Sequence, residues 1–243
     1  MLIRTTLLVA ALLLSPMWAF AHEEAAAEED TSPWSGMVSF GYLATSGNTE
    51  NSNLNSSFEV GYATAKWDHL LDGYAINASE ANVNTAEAYG VGWKSERNLS
   101  EHSFLFGRLS YRNDRFSGFT TQFSQAVGYG RRIINTEAHV LNAEIGVGAR
   151  QSERADGLDE NDLILDGGIH YQWTFSESAN FTQDFAVEYG DLNTYLESVS
   201  AVTARLIGQL ALVASYTIKD NSDVPVGTEN TDTFAAIALE YKF

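Results

Sequence analysis

Ala235-Ala236-Ile237-Ala238-Leu239-Glu240-Tyr241-Lys242-Phe243 alternates with a strict period of two. Its odd positions are Ala, Ile, Leu, Tyr and Phe, and its even ones Ala, Ala, Glu and Lys. Successive side chains of a strand point to opposite faces, so this stretch is a strand with one apolar and one wet side. The apolar side suits either the core of a soluble sandwich or the lipid around a membrane-spanning β-barrel, with aromatics at the membrane–water interface. The sequence upstream separates the two.

From Trp34 onward the same alternation recurs in segments of about ten residues divided by turn residues, the pattern of outer-membrane strands. Trp34, Val38, Phe40 and Tyr42 share a face, then Leu54, Phe58, Val60 and Tyr62 against Asn53, Asn55, Ser57 and Glu59. Tyr89, Val91 and Trp93 oppose Lys94, and Leu105, Leu109 and Tyr111 oppose Arg108 and Arg112. A sixth segment runs through Phe123, Val127 and Tyr129; in a seventh, Leu141, Ile145 and Val147 oppose Glu144 and Arg150. The clearest is Leu163, Leu165, Ile169, Tyr171, Trp173 and Phe175 against Asp166, His170 and Gln172. Phe181, Phe185, Val187 and Tyr189 against Thr182, Asp184 and Glu188 follow. The segments near 68–78 and 194–205 are strands whose facing the pattern leaves open.

Twelve segments result, an even number that returns both ends of the barrel to one side. Turns after even strands read as tight (Lys66-Trp67, Asn98 to Glu101, Asn135-Thr136, Glu177-Ser178, Leu206 to Gly208). Turns after odd strands include the longest, Ser152 to Asp162 and Asp220 to Asn230. Short periplasmic turns and long external loops are what a barrel predicts, and closure leaves no edge strand exposed. The expected fold is therefore an all-β, twelve-stranded transmembrane antiparallel barrel over residues 34–243, with periplasmic termini.

The start of the chain reads as a secretion signal: Arg4, an apolar run from Leu7 to Leu14, and Ala19-Phe20-Ala21 as cleavage site. Residues 1–21 are thus expected to be removed, leaving a short acidic periplasmic tail at 22–33 with Glu23, Glu24, Glu28, Glu29 and Asp30. No cysteine is present among 243 residues, which excludes disulfides, thiolate ligands and cysteine nucleophiles. A net charge of −18 argues against nucleic-acid binding, which needs a basic face. The partners expected of an outer-membrane barrel are lipids, lipopolysaccharide and the assembly machinery that inserts it.

Trp34-Ser35-Gly36, Ser46-Gly47-Asn48-Thr49, Tyr111 with Asp114-Arg115-Phe116, Gly128-Tyr129-Gly130, Glu144-Ile145-Gly146-Val147-Gly148 and Leu239-Glu240-Tyr241-Lys242-Phe243 occur in this order. Together they resemble the bacterial outer-membrane family catalogued as domain of unknown function 481, over essentially Trp34 to Phe243. Its members carry the name of salt-induced outer membrane proteins. The resemblance implies an outer-membrane barrel and transfers no catalytic or ligand residues. The terminal aromatic pair also resembles the signal read by the assembly machinery, with Ala238 where glycine is usual.

Enzyme chemistry has little to stand on. Of five histidines, His22 falls in the tail, His69, His102 and His139 near turns, and only His170 faces inward in a strand. Asp166 on the same face would lie about 13 Å away in an extended strand, too far to pair, while Asp184 is a conceivable cross-strand partner. The acidic stretch Asp156 to Asp162 lacks the ligand spacing of a calcium loop and reads as solvated. No cofactor or metal is expected. The informative set is the inward charge: Arg108, Arg112, Glu144, Arg150, Asp166, His170, Asp184 and Glu188, with Glu59, Lys94, Glu240 and Lys242 beside them. These groups either pair across a narrow interior and plug it or form a charged constriction for ions and small polar solutes. The expected function is a non-enzymatic envelope barrel or narrow pore of the salt-induced type. A specific small-solute channel is the alternative, and an outer-membrane hydrolase the more distant one.

Overall fold

The computed structural model describes residues 32–45, 51–80, 83–115 and 117–243. The expected leader, nearly all of the acidic tail, the Ser46 to Thr49 turn and Phe116 lie outside the described residues. Twelve strands follow in order: β1 (Trp34–Thr45), β2 (Asn51–Ala63), β3 (Trp67–Glu80), β4 (Val83–Ser100), β5 (Ser103–Asp114) and β6 (Phe119–Asn135). β7 (His139–Arg154), β8 (Asp159–Ser176), β9 (Ala179–Gly190), β10 (Tyr195–Ile207), β11 (Leu210–Asn221) and β12 (Thr231–Lys242) complete them. Each pairs antiparallel with its sequence neighbours, and β12 pairs with β1 to close the barrel. At that seam Met37 to Phe40 register against Lys242 to Leu239, and Gly36 and Phe243 exchange backbone hydrogen bonds of 2.8 and 2.9 Å.

Contacts between strands that are not neighbours identify the inner face, because in a closed barrel they must cross the lumen. Lys94 of β4 reaches Glu144 of β7, Arg112 of β5 reaches Glu188 of β9, and Lys219 of β11 reaches Tyr74 of β3. Alternation then propagates this facing along every strand. It assigns both strands the sequence left open. β3 turns Asp72 and Tyr74 inward and His69 and Leu71 outward; β10 turns Tyr195 and Glu197 inward. On β10 the outward residues include Ser198 and Ser200, which is why hydropathy misleads there. Gln183 satisfies both, donating to Ser198 Oγ at 3.0 Å and accepting from Ser200.

The outward face is a belt of exposed apolar side chains, among them Leu109, Val127, Ile145, Val147, Leu163, Leu165 and Ile237. Aromatic rings border it on both sides: Trp34, Tyr62, Trp67, Trp93, Trp173 and Phe243 near the end that holds the termini, and Tyr42, Tyr89, Tyr189 and Tyr216 towards the other. From Leu163 to Trp173 the outward face of β8 covers ten residue-to-residue steps. At ~3.3 Å per residue and a tilt near 40° this is roughly 25 Å of height, the thickness of an outer-membrane apolar band.

The expected loop pattern needs correction. Ser152 to Asp162 is a continued hairpin: Ser152 pairs with Glu160 and Glu153 with Asp159, leaving only 155–158 as the turn, with Gly157 at φ +84°. The turn 155–158 is solvent-exposed, as its acidic density suggested, but it is shorter than expected, and Arg154 pairs with Asp156 and Glu160 on either side of it. β3 runs as far as Glu80 and β4 begins at Val83, the two being register partners. Among the described residues, the longest connection is 222–230, between β11 and β12.

Candidate functional site

The inner wall of β5 to β7 is layered by residue size. Gly130 and Gly128 of β6 and Gly146 of β7 leave hollows into which the rings of Phe104 and Phe106 settle, so that a Cβ on any of the three would collide with a ring. The two phenylalanines are 1% and 4% exposed and form the barrel's apolar core with Ala126. Cations then lie over the rings: Lys94 Nζ is 5.6 and 5.7 Å from the two centroids, Arg108 5.1 Å from Phe106, and Arg132 4.7 Å from Phe104. A cation over an aromatic face is attracted by the ring quadrupole, so the phenylalanines fix where the inner charges stand.

Two ion clusters span the lumen above these rings. In the first, Arg108 bridges Asp166 of β8 at 3.0 Å and Glu144, which Lys94 also binds, with Glu96 2.8 Å from Lys94. In the second, Glu188 of β9 accepts from Arg112 at 2.9 Å, from Arg150 at 3.3 Å and from Ser124 at 3.0 Å. Arg112 also lies over the ring of Tyr195, five strands away round the barrel, at 3.9 Å. Arg150 is 2% exposed and reaches the Asn193 carbonyl and Asp162. Asp162 in turn accepts from the backbone N–H groups of Asp191 and Leu192 at 3.2 and 3.0 Å, tying the β9–β10 loop down.

Towards the loop end the lumen closes. Lys219 Nζ donates to Tyr74 Oη at 3.0 Å across the barrel, and Tyr195 and Phe119 are 3% and 1% exposed. A pocket of about 10 Å³, room for about one water, remains among Tyr74, Arg112, Phe119, Tyr195 and Lys219. Over this layer the 222–230 loop acts as a strap. Asp223 pairs with Arg154 of β7 at 2.6 Å, its N–H donates to Asn193 at 3.2 Å, and Pro225 packs on Gly118 of the β5–β6 loop, half-way round the ring. Gly118 sits at φ +84°, a conformation side chains resist, and a Cβ there would meet Pro225.

Towards the terminal end the lumen opens. A cavity of about 320 Å³ beside the first ion cluster adjoins one of about 490 Å³ lined by Ser39, Ser57, Thr182, Ser215, Thr217 and Glu59. His170, Asp184 and Glu197 border both. His170 Nδ1 stands 2.6 Å from Asp184, its register partner on β9.

Of the residues singled out from sequence, Arg108, Glu144 and Asp166 meet in the first cluster and Arg112, Arg150 and Glu188 in the second. His170 and Asp184 form a separate pair at the cavity wall. The sequence reading missed Phe104, Phe106, Tyr74, Tyr195, Lys219, Arg132 and Arg154. Inward glycines at 128, 130, 146 and 148 were the available signal that rings would lie opposite. Among the described residues no group of three or more His, Asp or Glu is arranged to hold a metal ion. Within Asp156 to Asp162, Asp156 and Glu160 are spent on Arg154 and Asp162 on backbone N–H groups.

Comparison with known proteins places this geometry. A COG4313 outer membrane channel from Pseudomonas putida F1 shares the fold, with a TM-score of 0.52 at 7% identity over 91% of this chain and 98% of that one. The NanC porin gives a TM-score of 0.48 at 11% identity, covering 85% and 97%. In sequence, the chain is 32% identical over 213 residues to "Uncharacterized protein YdiY" of Escherichia coli (strain K12), covering 86% of this chain and 83% of that protein. The model for the family described as "Protein of unknown function, DUF481" matches residues 38–243. This twelve-stranded barrel therefore belongs to the DUF481 family.

Proposed function

We propose that the protein is a non-enzymatic outer-membrane barrel of the narrow-pore kind, shut at its loop end and open at its terminal end. Its termini and tight turns face the periplasm after removal of residues 1–21, and 22–33 trail there as an acidic tail. Lipids and lipopolysaccharide surround the belt, and the envelope's barrel-assembly machinery inserts it. The observation that carries this reading is the layer in which Arg112 lies on Tyr195 and Lys219 donates to Tyr74 from opposite walls, with a pocket of about 10 Å³ among them. Inward charge in a pore lumen sets which ions pass, and here Lys94, Arg108, Arg112, Arg150, Glu144, Asp166 and Glu188 are engaged in pairs between non-neighbouring strands. In this state the barrel is a polar vestibule under a closed roof.

Single-channel recording of the folded barrel in a planar bilayer tests this. The expected result is silence or brief, small openings in the wild type and frequent openings in Tyr195→Ala, which removes the ring beneath Arg112. Large steady conductance in the wild type would overturn the closed roof. For the enzyme reading, the relevant pair is His170–Asp184. Lipid or peptide turnover abolished by His170→Ala would overturn the non-enzymatic assignment.

A further inference from the structure

On the outer face of β1 to β4, near the terminal end, lies a groove that takes no part in the lumen. Its floor is Val60 and Leu71, register partners on β2 and β3, and its walls are Trp34, Tyr62, His69 and Trp93. It encloses about 370 Å³. Trp34 and Tyr62 pack with centroids 4.7 Å apart on one side. Tyr62 in turn stacks on His69, its register partner, at 6.3 Å, and Trp93 and Trp67 stack on His69 at 6.2 and 5.9 Å, each within 5° of parallel.

That row of rings leads from an apolar hollow to positive charge. Arg97 lies with its guanidinium carbon 5.7 Å from the Trp67 centroid, is exposed, and makes no ion pair among the described residues. Lys66 stands exposed in the turn immediately before Trp67. The inner-wall cations already described contrast with these two, each being held by a carboxylate or a phenol. Rings stacked in this way lose little freedom on binding, and the combination of apolar groove and unneutralised guanidinium matches a molecule with a long chain and an anionic head.

We propose that this groove seats one anionic phospholipid from the leaflet at the terminal end. An acyl chain lies on Val60 and Leu71 between the rings, and the phosphate accepts hydrogen bonds from Arg97 and Lys66. Guanidinium–phosphate pairing is strong and directional at an interface where water is scarce. The proposal rests on the reading of the belt as membrane-spanning.

Native mass spectrometry of the full barrel, released from micelles with equal phosphatidylglycerol and phosphatidylcholine, tests it. The expected spectrum retains one phosphatidylglycerol at about tenfold preference, a ratio worth ~1.4 kcal/mol. Arg97→Gln with Lys66→Gln brings the preference to parity, while Trp93→Ala lowers retention of both lipids. Arg131→Gln, an exposed outward arginine on β6 away from the groove, leaves the preference intact. Equal retention of the two lipids by the wild type overturns the proposal, as does an undiminished preference in the double variant. Insertion into liposomes, followed by heat-modifiable gel migration, is read separately. A barrel that never inserts overturns the membrane reading, whereas an inserted barrel without lipid preference overturns only the seat.

Discussion

Glu188→Gln removes one charge and almost no volume at the point where two buried guanidiniums meet. Glu188 is 7% exposed, Arg150 2%, and the side chain of Arg112 13%. The carboxylate accepts from Arg112 at 2.9 Å, Arg150 at 3.3 Å and Ser124 at 3.0 Å. Breaking a buried ion pair by removing one partner costs about 3–5 kcal/mol, because the remaining charge is left uncompensated in a medium of low dielectric. Arg150 keeps the Asn193 carbonyl and Asp162 at 3.8 Å, so it is partly protected. Arg112 keeps only the face of Tyr195 and therefore bears most of the loss. A value near 3 kcal/mol follows, at the lower end of that range. The assay is reversible denaturant unfolding of the barrel in detergent or lipid, followed by tryptophan emission. Glu87→Gln serves as the comparison: it breaks the Arg115 pair, whose side chains are 35% and 63% exposed. Such exposed pairs contribute at most about 1 kcal/mol. If Glu188→Gln cost no more than Glu87→Gln, the cross-lumen cluster would not be holding the walls together, and the argument for a closed roof would fail with it.

Asp223→Ala unlatches the strap from Arg154 and is expected to raise channel opening probability severalfold. Asp223 is mostly exposed, so unfolding free energy should move by no more than about 1 kcal/mol; unchanged gating would show that the loop covers the mouth without controlling it. Gly130→Ala drives a methyl into the ring of Phe104 and should destabilise the barrel by about 1–3 kcal/mol, the usual cost of overpacking. Gly107→Ala, with nothing within 4 Å of the added atom, should be neutral or stabilising; equal effects in the two unfolding curves would refute the layered wall. Deleting Phe243 removes two backbone hydrogen bonds to Gly36 and the ring that lies over it, at a seam registered by only four residue pairs. Two bonds at about 1 kcal/mol each predict a loss of roughly 2 kcal/mol or more and slower appearance of the heat-modifiable folded band.

The sequence by itself determined the barrel, its strand number and most of its facing. All three follow from a period of two, which is a local property: each side chain's face depends only on its neighbours' positions along one strand. It was ambiguous where the local pattern ran against hydropathy. In β3, Leu70 points into the lumen beside Asp72; in β10, Ser198 and Ser200 point out and are satisfied by Gln183. Arg108, Arg112, Glu144, Arg150, Asp166 and Glu188 were legible as inward charges for the same local reason. Their partners were not legible. Arg112 and Glu188 lie 76 residues apart and Lys219 and Tyr74 145 apart, so only closure brings them within hydrogen-bond distance. The acidic stretch 156–162 is a different case: its countercharge Arg154 is close in sequence, and the long-range partner is Asp223, 69 residues away on the same guanidinium. Tertiary structure alone decided that Arg112 meets Tyr195 and Lys219 meets Tyr74 across the lumen near the loop end, while the larger cavities lie towards the terminal end. That outcome depends on which large side chains stand at one height on opposite walls, and height is set by register around the whole ring rather than by order along the chain.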